Sequence, residues 1–190
     1  MWYMVSQPAQ DARSALLDAA VDYVATNGLS DLSLRQMAAA LGTSHRMLIY
    51  HFGSKEQLLV AVVNEMERRQ LDQMVALDLD GSSPADQLRA MWRRLADRRM
   101  WPHERLFFEV YGQALQGRSH TTQLLDTIVE SWLEPATEIG VRSGLPRREA
   151  RANARLGLAV VRGLLLDLLA TGDRRGYDAA MERFIALTSS

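Results

Sequence analysis

The chain of 190 residues contains no cysteine. That excludes disulfides and thiolate metal sites and suits a reducing cytoplasm. No apolar run is long enough to span a bilayer, so no membrane partner is expected. The opening MWYMVSQPAQ lacks the charged n-region and long apolar h-region of a secretory signal. No segment alternates convincingly as a strand; Leu164–Leu169 has no β-branched residue and continues a longer helical pattern. Catalytic signatures are missing too: there is no GxSxG, no phosphate-cradling glycine loop and no GxGxxG after a strand. No catalytic residue is assigned, no enzyme activity is expected and no cofactor is implied. His103 and Glu104, with His120 further on, invite a metal reading, but no HxxxH or HExxH spacing occurs and no metal is expected. Excess charge of one sign is also absent: 22 basic residues face 23 acidic ones, for a net charge of −1. Such a balance argues against a protein that coats nucleic acid non-specifically.

What is present centres on Ser33–Lys55, SLRQMAAALGTSHRMLIYHFGSK. Ser33 and Gln36 have the spacing of a capping box, and Leu34, Met37, Ala38 and Leu41 recur at helical intervals. Gly42 supplies the positive φ of a helix C-cap, after which Thr43 or Ser44 can cap a second, short helix. In that helix Leu48, Ile49 and Phe52 are expected to face inward, leaving His45, Arg46, Met47, Tyr50 and His51 wholly or partly outward. Gly53-Ser54 stops it, and Ser54 with Gln57 reads as a second capping box opening a third helix. Two helices joined by a tight glycine turn describe a helix-turn-helix that lays its second helix in a DNA major groove. Arg35, Arg46 and Lys55 fall in this stretch without any acidic residue, whereas Asp11, Asp18, Asp22 and Asp31 precede it. The basic patch is local and modest, and a dimer would double its phosphate contacts.

Several residues here carry a resemblance. The run Ala15–Ala20, Gly28, Ser33, Arg35, Ala38, Leu41-Gly42, Leu48, Tyr50-His51-Phe52, Ser54-Lys55-Glu56 and Leu58-Leu59 resembles the DNA-binding region of the TetR family of bacterial transcriptional regulators. It departs from the family at Ile49, where a second aromatic usually stands. The resemblance covers about a quarter to a third of the chain. It implies double-stranded DNA as a partner, and the DNA-contact candidates are Arg35, Thr43, Ser44, His45, Arg46, Met47, Tyr50, His51 and Lys55. Arg46 could reach a guanine edge or a phosphate, Tyr50 a phosphate, and Met47 a thymine methyl. Lys55 would meet a phosphate beside the N-terminal N–H groups of its helix.

Elsewhere the periodicity predicts helices throughout. Residues 1–9 are expected to be frayed, and Asp11–Asn27 forms a helix ended by Gly28. A connecting helix runs from Lys55 toward Leu77, with Glu65, Glu67, Arg68 and Arg69 as a solvated face. Asp78–Ser83 reads as a linker, and Ser83-Pro84 as the N-cap and first position of the next helix. A helix carrying Leu106 to Ala114 follows Trp101-Pro102. Another begins near Thr121 and is expected to kink or end at Pro135. Met91, Trp92, Phe107, Phe108, Tyr111 and Trp132 concentrate bulky side chains in the middle third. They are candidates for an effector pocket, mainly because the resemblance implies one, while ordinary helical core remains open for each of them.

Between Leu156 and Ala170 only Arg162 and Asp167 are charged, so that helix is apolar nearly all round. Arg147, Arg148, Arg151 and Arg155 form a basic face read as solvated. Leu156, Val160, Leu164 and Leu168, with Tyr177, Met181 and Phe184 of the final helix, are expected to bury against a second copy as a four-helix interface. The chain therefore reads as all-α: residues 1–54 a helix-turn-helix domain, residues 55–190 an effector-binding and dimerisation domain. The expected protein is a cytoplasmic homodimeric repressor released from a palindromic operator by a small molecule. Two other readings stand beside it: a helical enzyme or carrier of a hydrophobic small molecule with a vestigial helix-turn-helix, and a ligand-independent DNA-binding protein.

Overall fold

A computed structural model of the chain describes residues 7–27, 33–79, 82–118 and 121–188. Nine α-helices account for most of these: α1 Gln7–Asn27, α2 Leu34–Ala40, α3 His45–Phe52, α4 Lys55–Leu79, α5 Pro84–Leu95, α6 Trp101–Leu115, α7 Glu130–Arg142, α8 Arg147–Thr171 and α9 Arg174–Thr188. Short 3-10 turns at Arg98–Met100 and Thr122–Asp126 precede α6 and α7. No strand occurs among the described residues, and none of the described helices is long and apolar enough to cross a membrane. Helix α1 begins earlier than its apolar periodicity suggests, so residues 7–9 of the segment expected to fray are helical. Residues 1–6, Gly28, Asp31, His120 and the Asp80-Gly81 centre of the expected linker lie outside the described residues; Asp78 already belongs to α4.

Pro135 does not end a helix. It sits inside α7, whose first turns lie just before it. The apolar run that starts near Thr121 is instead divided: the 3-10 turn precedes α7, which opens only at Glu130. A proline near the start of a helix deletes one main-chain bond and leaves the chain ahead of it free to turn. Helices α7 and α8 then approach closely, since a Cβ on Gly140 would come within 2.9 Å of the Ala150 Cβ. Arg147 pairs with Glu134 and Glu138, and Arg151 with Glu130 at 2.7 Å. Two arginines of the basic face are thus neutralised by their own neighbour helix.

Two apolar clusters organise the interior. The first joins Val24 of α1, Met37 of α2, Leu48 and Phe52 of α3 and Leu58 to Met66 of α4, and continues through Leu106, Phe107 and Val110 of α6 to Ile128. The helix-turn-helix therefore shares one core with the helices that follow it. The second joins Trp92 and Leu95 of α5 to Val161, Leu165 and Leu168 of α8 and Met181 and Ile185 of α9. Leu168 and Met181 are 0% exposed inside a single chain. They are corrected from interface to core residues, because a side chain already enclosed by its own fold has no surface to give a partner. Val160, Leu164, Tyr177 and Phe184 are half-buried, and Leu156 is 51% exposed.

The outer face of α8 is instead made by Ala152, Leu156, Ala159, Gly163, Leu166 and Ala170, all exposed. Their spacing alternates four and three residues, the 3.5-residue period of a helix seam that winds against another helix. No charge interrupts that stripe, although Arg155 and Asp167 flank it.

Candidate nucleic-acid interface and interior cavity

The turn between α2 and α3 is fixed from both sides. The Ser33 hydroxyl accepts the Gln36 N–H, and the Gln36 side chain accepts the Ser33 N–H at 2.9 Å, completing the capping box. Gly42, at φ 65°, turns the chain, and the Thr43 N–H reaches back to the Ala38 carbonyl at 2.9 Å. Ser44, rather than Thr43, caps α3 by accepting the Met47 N–H at 3.2 Å. At the far end Gly53 has φ 80°, and a Cβ there would collide with Gln57 Oε1 at 2.1 Å. The expected second capping box is thus half made: Ser54 accepts the Gln57 N–H, while the Gln57 side chain lies against Gly53.

Leu48 and Phe52 anchor α3 in the core. Arg13 of α1 stands 5.0 Å over the Phe52 ring and donates from Nε to the His51 carbonyl. A cation is thereby placed at the negative end of the helix. With the inner side held, α3 shows solvent His45, Arg46, Met47, Ile49 and Tyr50, the last 71% exposed. Ile49 was expected inside and is turned out; His51, expected wholly or partly outward, is partly so. Ile49 is exposed, whereas His51 is half-buried with its Nε2 covered and without a partner. An eight-residue helix pinned at Leu48 and Phe52 carries position 51 partly round toward α1.

Thr43 is half-buried at the turn, Lys55 is half-buried at the first position of α4, and Arg35 projects from α2. Among the described residues Arg35, Arg46 and Lys55 form no ion pair, in contrast to Arg68, Arg69, Arg89, Arg99, Arg147, Arg151 and Arg174. Unneutralised cations flanking an exposed helix with a phenol, an imidazole and a thioether are what a phosphate-lined groove with base edges engages.

The interior contains a second site. A small chamber of about 40 Å³ is lined by Glu67 and Gln70 of α4, Met91 and Leu95 of α5, Glu104, Phe107 and Phe108 of α6, Trp132 of α7, and Arg162 of α8. Four of the six pocket candidates, Met91, Phe107, Phe108 and Trp132, meet there. Two do not. Trp92 packs into the second core cluster and donates its N–H to Asp178 of α9 at 2.7 Å. Tyr111 stacks behind Phe107, ring centres 5.5 Å apart, without reaching the chamber.

None of the polar residues of this chamber was read from sequence as lining a pocket: Glu104 was weighed only as a metal ligand and Glu67 only as part of a solvated face. Glu67 is no part of a solvated face: its Oε2 accepts the Trp132 indole N–H at 2.6 Å. Glu104, 3% exposed, accepts from Gln70 Nε2 at 3.0 Å. Arg162 donates to the Ile128 carbonyl at 2.8 Å and lies over the rings of Phe107 and Tyr111. A signal did exist: the one arginine of a segment with only two charges must find counter-charge or polar partners once buried.

Burial pushes the Glu67 carboxyl up to about 7 and Glu104 up to about 8, the latter helped by the neighbouring Glu67. The unfolded chain releases these protons near the ordinary 4.5. The folded state therefore holds more protons than the unfolded one between those values, and stability falls as pH rises through that window. Urea unfolding is expected to show a loss on the order of 2 kcal/mol per carboxylate between about pH 5 and about pH 8. Glu104→Gln should flatten that slope and raise stability at the alkaline end. An unchanged slope would mean that Glu104 is not held protonated.

Residues 16–62 match the model of the bacterial regulatory proteins of the tetR family. The transcriptional regulator BetI of Rhizobium meliloti is 26% identical over 156 residues, covering 81% of this chain and 76% of that protein. The transcriptional repressor Rv3405c of Mycobacterium tuberculosis is 30% identical over 137 residues, covering 66% and 68%. The fold is shared with a Saccharomonospora viridis protein solved in complex with choline, at 20% identity and a TM-score of 0.69 over 93% of this chain and 96% of that one. The chain belongs to the tetR family of bacterial regulatory proteins and is a DNA-binding transcriptional regulator.

Proposed function

We propose that the chain acts in the cytoplasm as a homodimeric repressor, without catalysis, and leaves a palindromic operator when a small molecule occupies the interior chamber. The observation that carries this reading is the span of α4. One continuous helix supplies Lys55 at the DNA end and Glu67 and Gln70 at the chamber. A packed helix passes a displacement along its length instead of absorbing it. Residues 1–54 bind DNA; residues 55–190 bind effector and pair the protomers through the α8 stripe together with the half-buried face of α9. Pairing sets the two copies of α3 about 34–36 Å apart, one turn of duplex. The ligand weakens operator binding by its differential affinity for the two spacings and by no more. A repressor among the relatives and a choline-bound structure with the same fold support both halves of this reading.

Selection of bound sequences from random duplex DNA is the direct test, and a two-fold symmetric consensus is expected. Lys55→Ala should weaken binding to every sequence and reduce the salt slope by about one phosphate per protomer. Arg46→Ala should instead relax preference at one base of each half-site, at about 1–3 kcal/mol. Recovery of unrelated, asymmetric sequences would sink the repressor reading in favour of a non-specific binder.

A further inference from the structure

We propose that the interior chamber takes the charged head of a hydrophobic organic monocation, with Glu67 and Glu104 as its counter-charge. This rests on reading the chamber as the effector site. Each carboxylate has one oxygen fixed from within the fold, Glu67 Oε2 by Trp132 and Glu104 Oε1 by Gln70. Among the described residues no donor reaches the other oxygens, Glu67 Oε1 and Glu104 Oε2. Arg162 does not close them either: none of its nitrogens comes within 4.0 Å of a carboxylate, and the rings of Phe107 and Tyr111 hold it at 5.3 and 5.6 Å. Two carboxylates and one guanidinium leave a single surplus negative charge in an aromatic-walled, largely buried space.

That surplus selects the ligand class. A neutral ligand would leave that one surplus charge to be offset by a proton alone, and an anion would add to it. A monocation supplies the missing charge and can lie against the faces of Phe107, Phe108 and Trp132. The chamber holds little more than a water molecule by itself. An open cleft of about 410 Å³ between α4 and α5 borders it, lined in part by Gln70, Met74, Met91, Arg94 and Leu95. Gln70, Met91 and Leu95 line both spaces. The apolar body therefore lies in the cleft, and the head passes a flexible methionine to reach the carboxylates.

When no cation is bound, a proton takes its place on the raised carboxyls. The charged and polar groups around that position are Glu67 and Gln70 from α4, Arg94 from α5, Glu104 from α6, the Trp132 indole from α7 and Arg162 from α8. Raised carboxyl values mean that a cation exchanges with a proton on entry, so binding tightens as pH rises through the neutral range.

The test uses the full chain and three probes of matched shape: benzyltrimethylammonium, its neutral carbon isostere neopentylbenzene, and the anion phenylmethanesulfonate. Calorimetry in buffers of different ionisation enthalpy is expected to show tight binding only for the cation, with proton release. Affinity should rise on the order of tenfold from about pH 6 to about pH 8. In Glu104→Gln the cation should bind at least about 30-fold more weakly while the neutral isostere binds no worse, which a merely structural role would not produce. If the neutral probe or the anion binds as well as the cation and releases operator DNA, the charge assignment is overturned and the effector chamber stands. If none of the three binds at millimolar concentration, the cation assignment and the effector chamber both fall.

Discussion

Glutamates placed together at Leu156 and Leu166 are expected to yield a folded monomer that no longer holds its operator. Both side chains are about half exposed in a single chain, at 51% and 49%. Charging them therefore costs the protomer little. In a dimer packed through the α8 stripe the same charges would face apolar helix across the contact and lose their water without a partner. Operator affinity should drop on the order of a thousandfold, because one half-site carries half the phosphate contacts and no second half-site follows it. Sedimentation at micromolar concentration, with circular dichroism as the folding control, reads the outcome. A double variant that stays dimeric places the interface elsewhere. The contrast is Leu168→Glu, which puts a carboxylate into a site with no exposed surface and should leave no folded protein at all.

Trp92→Ala should carry the largest loss of stability among the tryptophan variants, about 3–5 kcal/mol. Trp92 fills the centre of the second core cluster, and its indole N–H ties α5 to Asp178 of α9. Asp178 also accepts from Arg174 at 2.7 Å, so truncation loosens a junction between two helices as well as leaving a void. Operator binding should decline only in proportion to the folded fraction. Trp132→Phe is expected to behave differently. It keeps most of the ring volume but removes the only donor to Glu67 among the described residues, so ligand response should change more than melting temperature does. Melting curves, ligand-free operator affinity and ligand-induced release on both variants separate the cases. Equal and proportional losses in all three quantities would make Trp132 a core residue like Trp92.

The helix-turn-helix was legible because its signals are local. Capping residues, a glycine of positive φ and an apolar period of 3.6 act within a few residues, and Ser33, Gln36, Gly42 and Gly53 behave as those rules require. Ile49 turned outward because a helix of eight residues has too little length for its apolar face to be fixed by period alone. The α8 segment could be recognised as buried on several sides, but an all-round apolar helix does not reveal which stripe its own chain covers. Leu168 faced inward for that reason, and the exposed alternation of fours and threes was resolved only once α5, α7 and α9 had packed. Glu67 and Glu104 were the least visible. A carboxylate in a charged run looks solvated until a second helix lies over it, and the indole that partners Glu67 is 65 positions away in sequence.

The length of α4 also constrains how this chain can change. Lys55 and Glu67 stand twelve positions apart on uninterrupted helix, about 18 Å along its axis. Inserting or deleting one residue between them would swing the carboxylate about 100° around that axis relative to the DNA end. Glu67 would then point away from Glu104 and Trp132 even with every side chain retained. Substitutions in this segment can accumulate one at a time, whereas indels cannot, since three or four residues would have to enter or leave together to restore the angle. Among relatives that keep both ends in use, the count of residues from the lysine to the glutamate should be the most rigid interval in the chain.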